Sequence, residues 1–241
     1  MHLVIDIGNT SVKVALTENG AVLSSVRGAL TDDSVRTMIE GRQITSGICS
    51  AVRELTDREQ EFVSALPFPM MRLTSETPLP LTLKYRTPQT LGPDRIAAAV
   101  GAWGRSPGRN LLVIDVGTAI TYDVVTSQGE YIGGNISPSK DLRFKALHAY
   151  TGKLPLVTEC GDTPVLGYST ETAIRSGVMT GIRNEMLGFI SQMESQYDSL
   201  LVFFTGGDAE KFEIPIKNRI FADEFLLMEG LDLICRFNEK N

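Results

Sequence analysis

The chain opens twice. Leu3 to Ile7 is a short apolar run carrying Asp6-Ile7-Gly8-Asn9-Thr10 at its end, and Leu111 to Val116 is a second such run carrying Asp115-Val116-Gly117-Thr118. Asp6 precedes Gly20 by fourteen positions and Asp115 precedes Gly129 by fourteen, with one residue of slippage between Thr10 and Thr118. Self-similarity on this scale marks an internal duplication, which limits the fold more than any local pattern does. Each run reads as a strand broken at glycine and followed by a second strand, Val12 to Leu16 and Ile120 to Val125. Glu18-Asn19-Gly20 then turns the first half into a third strand, Ala21 to Val26, because Asn-Gly between apolar runs favours a tight hairpin. Gln128-Gly129 and Tyr131-Ile132 hold the matching place in the second half.

Between the openings, the pattern predicts a helix over 31–42, a strand from Thr45 to Val52 and a helix from Leu55 to Leu66 with Thr56 and Glu59 as a capping box. The stretch from Pro67 to Pro93, with Pro69, Pro78, Pro80 and Pro88 inside it, reads as extended and loop-like. Ile96 to Trp103 reads as a helix ending at Gly104, and Ser106-Pro107-Gly108 marks a domain boundary. The second half continues with helices near 140–150 and 169–195, a buried-type strand from Leu200 to Thr205 and a last helix from about Glu224 to Phe237. The expectation is an α/β protein of two related lobes, 1–109 and 110–241, each a mixed sheet flanked by helices, with a cleft between them. The last helix, about 224–238, is free to pack back on the first lobe.

Composition excludes several function classes. The net charge of −6 offers no basic face of the kind a general nucleic-acid binder needs to neutralise phosphates. Cys49, Cys160 and Cys235 are too few and too scattered for a disulfide scaffold or a CxxC zinc site. The start lacks a basic segment before a long apolar core, and no apolar run approaches the ~20 residues of a membrane span. The expected location is the cytoplasm, with no nucleic-acid or membrane partner.

A carboxylate at a strand end, then glycine and small polar side chains, suits a phosphate and its metal: glycine admits close backbone approach and turn N–H groups aim at oxygens. Asp6 can hold magnesium directly or through water. A single such turn reads first as a polar hairpin; two copies at the ends of two lobes would face one another across a cleft, where small-molecule sites lie, and that tips the reading to function. The chain has neither GxxxxGK[ST] nor GxGxxG, so a bound nucleotide takes this two-turn route. Gly92-Pro93-Asp94-Arg95 is an ordinary helix start and, equally, a place for a proton acceptor, Asp94, with an anion-gripping Arg95. Gly133-Gly134-Asn135-Ile136-Ser137-Pro138 reads as a glycine-bearing loop leading into a helix, and Gly206-Gly207-Asp208 as a turn after a buried strand, flat enough for a base or ribose. His148 and Trp103 read as structural.

Taken together, these residues resemble the type III pantothenate kinases of the acetate and sugar kinase/Hsp70/actin superfamily. The matching blocks are DIGNTSVK at 6–13, KYRTPQTLGPDR at 84–95, VIDVGTAITYD at 113–123, YIGGNISPS at 131–139, ALHAYTGKLP at 146–155, STETAIRSGV at 169–178 and FTGGDA at 204–209. The resemblance implies an actin-like, ribonuclease H-like fold and ATP-dependent phosphorylation of pantothenate to 4'-phosphopantothenate, opening coenzyme A biosynthesis. It assigns ATP phosphates to Asp6, Ile7, Gly8, Asn9, Thr10, Ser11, Val12, Lys13 and Thr118, and the proton acceptor to Asp94. It assigns pantothenate to Tyr85, Gly92, Pro93, Asp94, Arg95 and Thr170, and a monovalent cation, potassium or ammonium, to Asp115 beside magnesium. It further implies a homodimer with the substrate site near the interface. Ser139 departs from the glycine expected in that loop. Two rivals are a sugar or acyl-acid kinase of the same superfamily and a nucleotide-binding regulator without transferase activity.

Overall fold

The computed structural model describes residues 1–212, 214, 219–221 and 225–240. The first sheet contains β1 (His2–Ile7), β2 (Val12–Glu18), β3 (Ala21–Gly28), β4 (Ser46–Ala51) and β5 (Met70–Arg72) in the order β3-β2-β1-β4-β5. The second contains β6 (Thr82–Leu83), β7 (Leu111–Val116), β8 (Ala119–Val125), β9 (Glu130–Pro138), β10 (Leu201–Thr205) and β11 (Arg219–Phe221) in the order β11-β10-β7-β8-β9-β6. With β6 set aside, the two orders are the same, third-second-first-fourth-fifth, so the duplication read from the openings extends through the sheet. The first three strands of each set are antiparallel and the last two are parallel to the first. The slippage also has its cause: Ile7 pairs with Val12 around four turn residues, whereas Val116 pairs with Ile120 around three. Each turn is closed by its glycine, Gly8 N–H donating to Ser11 O and Gly117 N–H to Ala119 O, both at 3.0 Å.

The helices are α1 (Asp33–Ile39), α2 (Asp57–Ser64), α3 (Pro93–Arg105), α4 (Lys140–Ala149), α5 (Thr170–Glu194) and α6 (Leu226–Glu239). The α2 capping box forms as expected, Glu59 N–H donating to Thr56 Oγ1 and Thr56 N–H to Glu59 Oε2. Strand alternation sorts each sheet into two faces. On β1, Leu3, Ile5 and Ile7 join the core toward α1 and α2, while Val4 joins a central core with α3 and α6. On β7, Leu112, Ile114 and Val116 join a core with α5, while Leu111 and Val113 join the same central core. Helices α3 and α6 therefore lie between the two sheets. They cross at glycines: a Cβ on Gly101 would sit 2.1 Å from Leu226 O, and one on Gly230 would sit 1.8 Å from Ala97 O. The last helix is α6, which contacts β1 and β4 of the first sheet; the start proposed at Glu224 lies outside the described residues.

Three expectations are corrected. Residues 133–138 are not a loop but the body of β9. Their glycines serve close packing, since a Cβ on Gly134 would meet Tyr122 O at 1.7 Å, and Gly133 has φ +138 beside a bulge. The proline-rich stretch contributes two short strands, β5 and β6, and β6 pairs with the second sheet. Helix α3 begins at Pro93, three residues before Ile96, which puts Asp94 and Arg95 in its first turn.

Candidate active site

Asp6 and Asp115 lie near the ends of β1 and β7, each two residues beyond an inward-facing valine. Both carboxylates thus point into the space between the sheets, at its mouth. The turns that follow meet there: Thr10 Oγ1 and Thr118 Oγ1 are 3.5 Å apart although 108 residues separate them. Ile7 and Val12 put their side chains into the core, so only their backbone groups can face a phosphate; Asn9 and Thr10 are exposed. Strand register lines up a polar row across the first sheet, Ser50, Asp6, Lys13 and Arg27, because paired residues share a face. Arg27 was missed in the sequence. Its Nε donates to Ser11 Oγ at 3.3 Å, and its Nη1 would lie 3.6 Å from a Cβ on Gly207, so it spans from the first turn to the second lobe.

The electrostatics fit an anion-plus-cation site. Burial pushes the Asp6 carboxyl up to about 7, with the Asp94 charge adding to the rise, Lys13 and the Ser50 hydroxyl opposing it, and Asp115 adding again. Burial pushes Asp115 up to about 6, against Lys13 and with Asp94 and Asp123. Asp94 is also raised by burial, held back by the Arg95 N–H and the Arg95 charge. The Asp94 charge therefore raises both Asp6 and Asp115, Lys13 opposes both rises, and buried Asp6 Oδ1 has no hydrogen-bond partner. Such an arrangement is relieved by a cation. Among the described residues the three do not close to the spacing of one ion's direct ligands, so magnesium here would be reached through water or phosphate oxygens.

The floor of the site is a buried ion pair. Arg95 donates from Nε and Nη2 to Asp123 Oδ1 at 2.9 and 2.7 Å, and Tyr131 OH donates to the same oxygen at 2.5 Å. Tyr85 packs edge-on against Tyr131, ring centroids 6.1 Å apart, and lies 3.8 Å from where a Gly133 Cβ would be. Arg95 is only 5% exposed, so its main part is to hold the start of α3 on β8. At Gly92 a Cβ would come 2.4 Å from Asp94 Oδ1; glycine lets that carboxylate fold back to accept the Arg95 N–H at 2.9 Å. Gly206, φ +95, does the same for Asp115, whose Oδ1 a Cβ would approach to 2.4 Å. Tyr85, Gly92, Pro93, Asp94 and Arg95 thus gather with Asp6 and Asp115. Thr170 does not join them: it lines a separate hollow of about 850 Å³ between α4 and α5, with Leu147, Tyr150 and Ala173.

Two actin-like lobes with paired glycine turns and a carboxylate on the helix between them are the architecture of a small-molecule kinase. Solved structures agree on the fold: the ROK family glucokinase from Streptomyces griseus in complex with glucose and AMPPNP matches with TM-score 0.53 at 12% identity, over 100% of this chain and 99% of that one. A Campylobacter jejuni protein named for the Baf family of transcriptional activators matches with TM-score 0.64 at 19% identity, over 99% and 100%. The type III pantothenate kinase family model matches residues 2–192. A type III pantothenate kinase of Phocaeicola vulgatus is 45% identical over 241 residues, 100% of both chains, and one of Bacteroides fragilis 46% identical over 239 residues, 99% of this chain and 98% of that one. The chain belongs to the type III pantothenate kinase family.

Proposed function

We propose that this chain transfers the γ-phosphoryl group of ATP to the hydroxyl of pantothenate, giving 4'-phosphopantothenate, the first step of coenzyme A biosynthesis. The observation that carries the reading is the meeting of the two turns at Thr10 and Thr118 with Asp6, Asp94 and Asp115 behind them.

Phosphoryl transfer rests mainly on positioning and charge neutralisation. The backbone N–H groups of Asn9 to Ser11 and the Thr10 and Thr118 hydroxyls face the phosphates, Gly8 letting the turn approach them closely, and Lys13, with Arg27 beside it, supplies positive charge. Asp6 would hold magnesium through water, and the chemistry that ion would supply there is charge neutralisation at the phosphate oxygens. Asp115, raised by burial and by the Asp94 and Asp123 charges, would hold a monovalent cation, potassium or ammonium, whose charge would offset those carboxylates. Asp94 accepts the hydroxyl proton. Its burial raises its proton affinity toward the working pH, which improves a general base. Tyr85, Gly92, Pro93 and Arg95 shape the acceptor's pocket, and closure of the lobes 1–109 and 110–241 excludes water.

Thr170 belongs to this site only if another copy brings it there. Exposed apolar side chains lie on the elements around it: Leu142 on α4, Tyr150 at its C-cap, then Leu156, Val165, Leu166 and Tyr168 before α5. A homodimer through this face covers them. No helix among the described residues is long and apolar enough to cross a membrane, and the cytoplasm is the place where such a kinase meets ATP. The test is coupled ADP release with pantothenate, with and without potassium or ammonium, against a panel of sugar and acyl-acid acceptors. Pantothenate-dependent release stimulated by the monovalent cation is expected. ATP binding without acceptor-dependent release would leave a nucleotide-binding regulator instead.

A further inference from the structure

His2 lies at the opposite end of β1 from Asp6, on the same inward face and about 13 Å away at ~3.3 Å per residue. Its strand partner on β4 is Ser46. Across from this pair, α6 presents Asp232, Cys235 and Glu239, spaced i, i+3 and i+7 on one stripe. Among the described residues, the His2, Cys235 and Glu239 ligand atoms are the one group of histidine, cysteine and carboxylate that lies mutually within 4.8 Å. His2 Nε2 stands 3.3 Å from Glu239 Oε2.

The surrounding groups orient all three. His2 Nδ1 is 2.8 Å from Asp232 Oδ1; that carboxylate is fully buried and accepts the Nδ1 proton, which leaves the Nε2 lone pair directed at Glu239 and Cys235. Thr17 Oγ1 and Arg236 Nε fix Asp232 in turn. Ser46 Oγ lies 3.6 Å from Cys235 Sγ and 2.5 Å from Glu239 Oε1, touching both other ligands. A carboxylate behind the distal nitrogen of a histidine is the usual outer support of a metal-bound imidazole.

We propose that His2 Nε2, Cys235 Sγ and a Glu239 oxygen form a second cation site, for a zinc-class divalent ion, distinct from the magnesium and monovalent sites at the cleft. Imidazole, thiolate and carboxylate together suit borderline ions such as Zn²⁺ or Co²⁺ rather than Mg²⁺ or K⁺. Three protein ligands leave a fourth position, on the side where Glu239 reaches solvent. Binding takes one proton from the Cys235 thiol to solvent as the sulfur–metal bond forms. The ion braces α6 to β1, and α6 in turn holds α3. The competing account is a hydrogen-bonded clasp that needs no ion.

The test uses the full chain with Cys160→Ser, which removes the exposed thiol, after chelator stripping. Cobalt(II) is added and the thiolate-to-cobalt absorption in the near ultraviolet is followed, then Zn²⁺ competition. The expected result is a band saturating at one equivalent, displaced by zinc, and absent in Cys235→Ala. Glu239→Gln, an exposed change at the end of α6, is expected to weaken cobalt binding about tenfold or more. No band in the Cys160→Ser protein, a band that survives Cys235→Ala, or unchanged affinity in Glu239→Gln overturns the site. The glutamate variant decides the matter should the cysteine variant fold poorly.

Discussion

Replacing Gly230 with alanine tests whether α6 controls the position of α3, the helix that carries the proposed proton acceptor Asp94. The added Cβ would lie 1.8 Å from Ala97 O, 2.8 Å from Ala97 C and 2.8 Å from Gly101 N. All three are backbone atoms, so no rotamer change relieves the collision. Reaching ordinary carbon–oxygen contact requires α3 and α6 to separate by about 1.5 Å. Overpacking of a rigid core costs about 1–3 kcal/mol, and the backbone obstruction puts this case near the top of that range. Alanine recovers about 1 kcal/mol of helix propensity. The net loss is about 2 kcal/mol, or roughly 4–8 °C in Tm for a chain of this size. Because Asp94 rides on the first turn of α3, the same separation displaces it; misplacement by about 1 Å can cost on the order of a hundredfold in rate. Gly188→Ala is the matched control. It lies within α5 with nothing within 4 Å of its Cβ, and should gain about 0.5–1 kcal/mol with turnover unchanged. Urea midpoints and coupled ADP release on the two variants read both effects. A Gly230→Ala protein that unfolds at or above the wild-type midpoint would refute the close crossing and the coupling argued from it.

Asp94→Asn should fold with an unaltered midpoint and lose about 10²–10⁴ in kcat, with KM for pantothenate changed far less; near-normal kcat removes the proton-acceptor role. Asp123→Ala strips Arg95 and Tyr131 of a shared buried partner and should cost about 3–5 kcal/mol in urea unfolding; a loss under about 1 kcal/mol would mean that the pair does not hold α3 to β8. The raised Asp6 carboxyl, about 7 in the fold against 3.8 ordinarily, makes the folded chain bind the extra proton between those values. Its stability contribution is therefore present below about 4 and lost as pH rises toward 7, and Asp115, raised to about 6, acts with the same sign. Asp6→Asn should flatten that decline, so that its urea midpoint gains on wild type from pH 4 to pH 7; a gap that is constant or shrinks across that window contradicts the assignment.

Most of the site was legible because the duplication puts the same chemistry at the ends of two strands, and strand ends are where glycine and aspartate stand out. The second sheet's glycines misled for the same reason: Gly133 and Gly134 look like a turn, but their freedom serves a bulge and a close approach to Tyr122 O. Strands β5 and β6 carry little pattern of their own, and pairing with Gly47–Cys49 and Glu130–Tyr131 makes them strands. Arg27 was hidden by register. Counting back from the Asn19-Gly20 turn, with Glu18 opposite Ala21, sets Val26 opposite Lys13; a bulge at Leu16/Thr17 moves Arg27 there instead. One visible signal was passed over. Asp123 alternates with Thr121 along a strand whose neighbours are apolar, and a carboxylate on an inward strand position needs a buried cationic partner, which Arg95 supplies.

The two lobes are alike in their turns but not in what lies between them, and the difference assigns the labour of the reaction. Each sheet contributes a glycine turn, proposed to face phosphate, and a carboxylate. The groups proposed to meet the acceptor come instead from the segment Tyr85 to Arg95, anchored to the second sheet through Asp123 and to the first through α6. A rotation of one sheet against the other therefore moves the phosphate turns relative to Asp94 only as far as α3 and α6 permit. Glycines at both sides of that crossing keep the permitted distance short. Under the proposed reaction, specificity for a hydroxyl acceptor and exclusion of water would share one structural origin, the tightness of the α3–α6 contact. Loosening it should raise acceptor-independent ATP hydrolysis relative to transfer, which ADP release by Gly230→Ala without pantothenate measures directly.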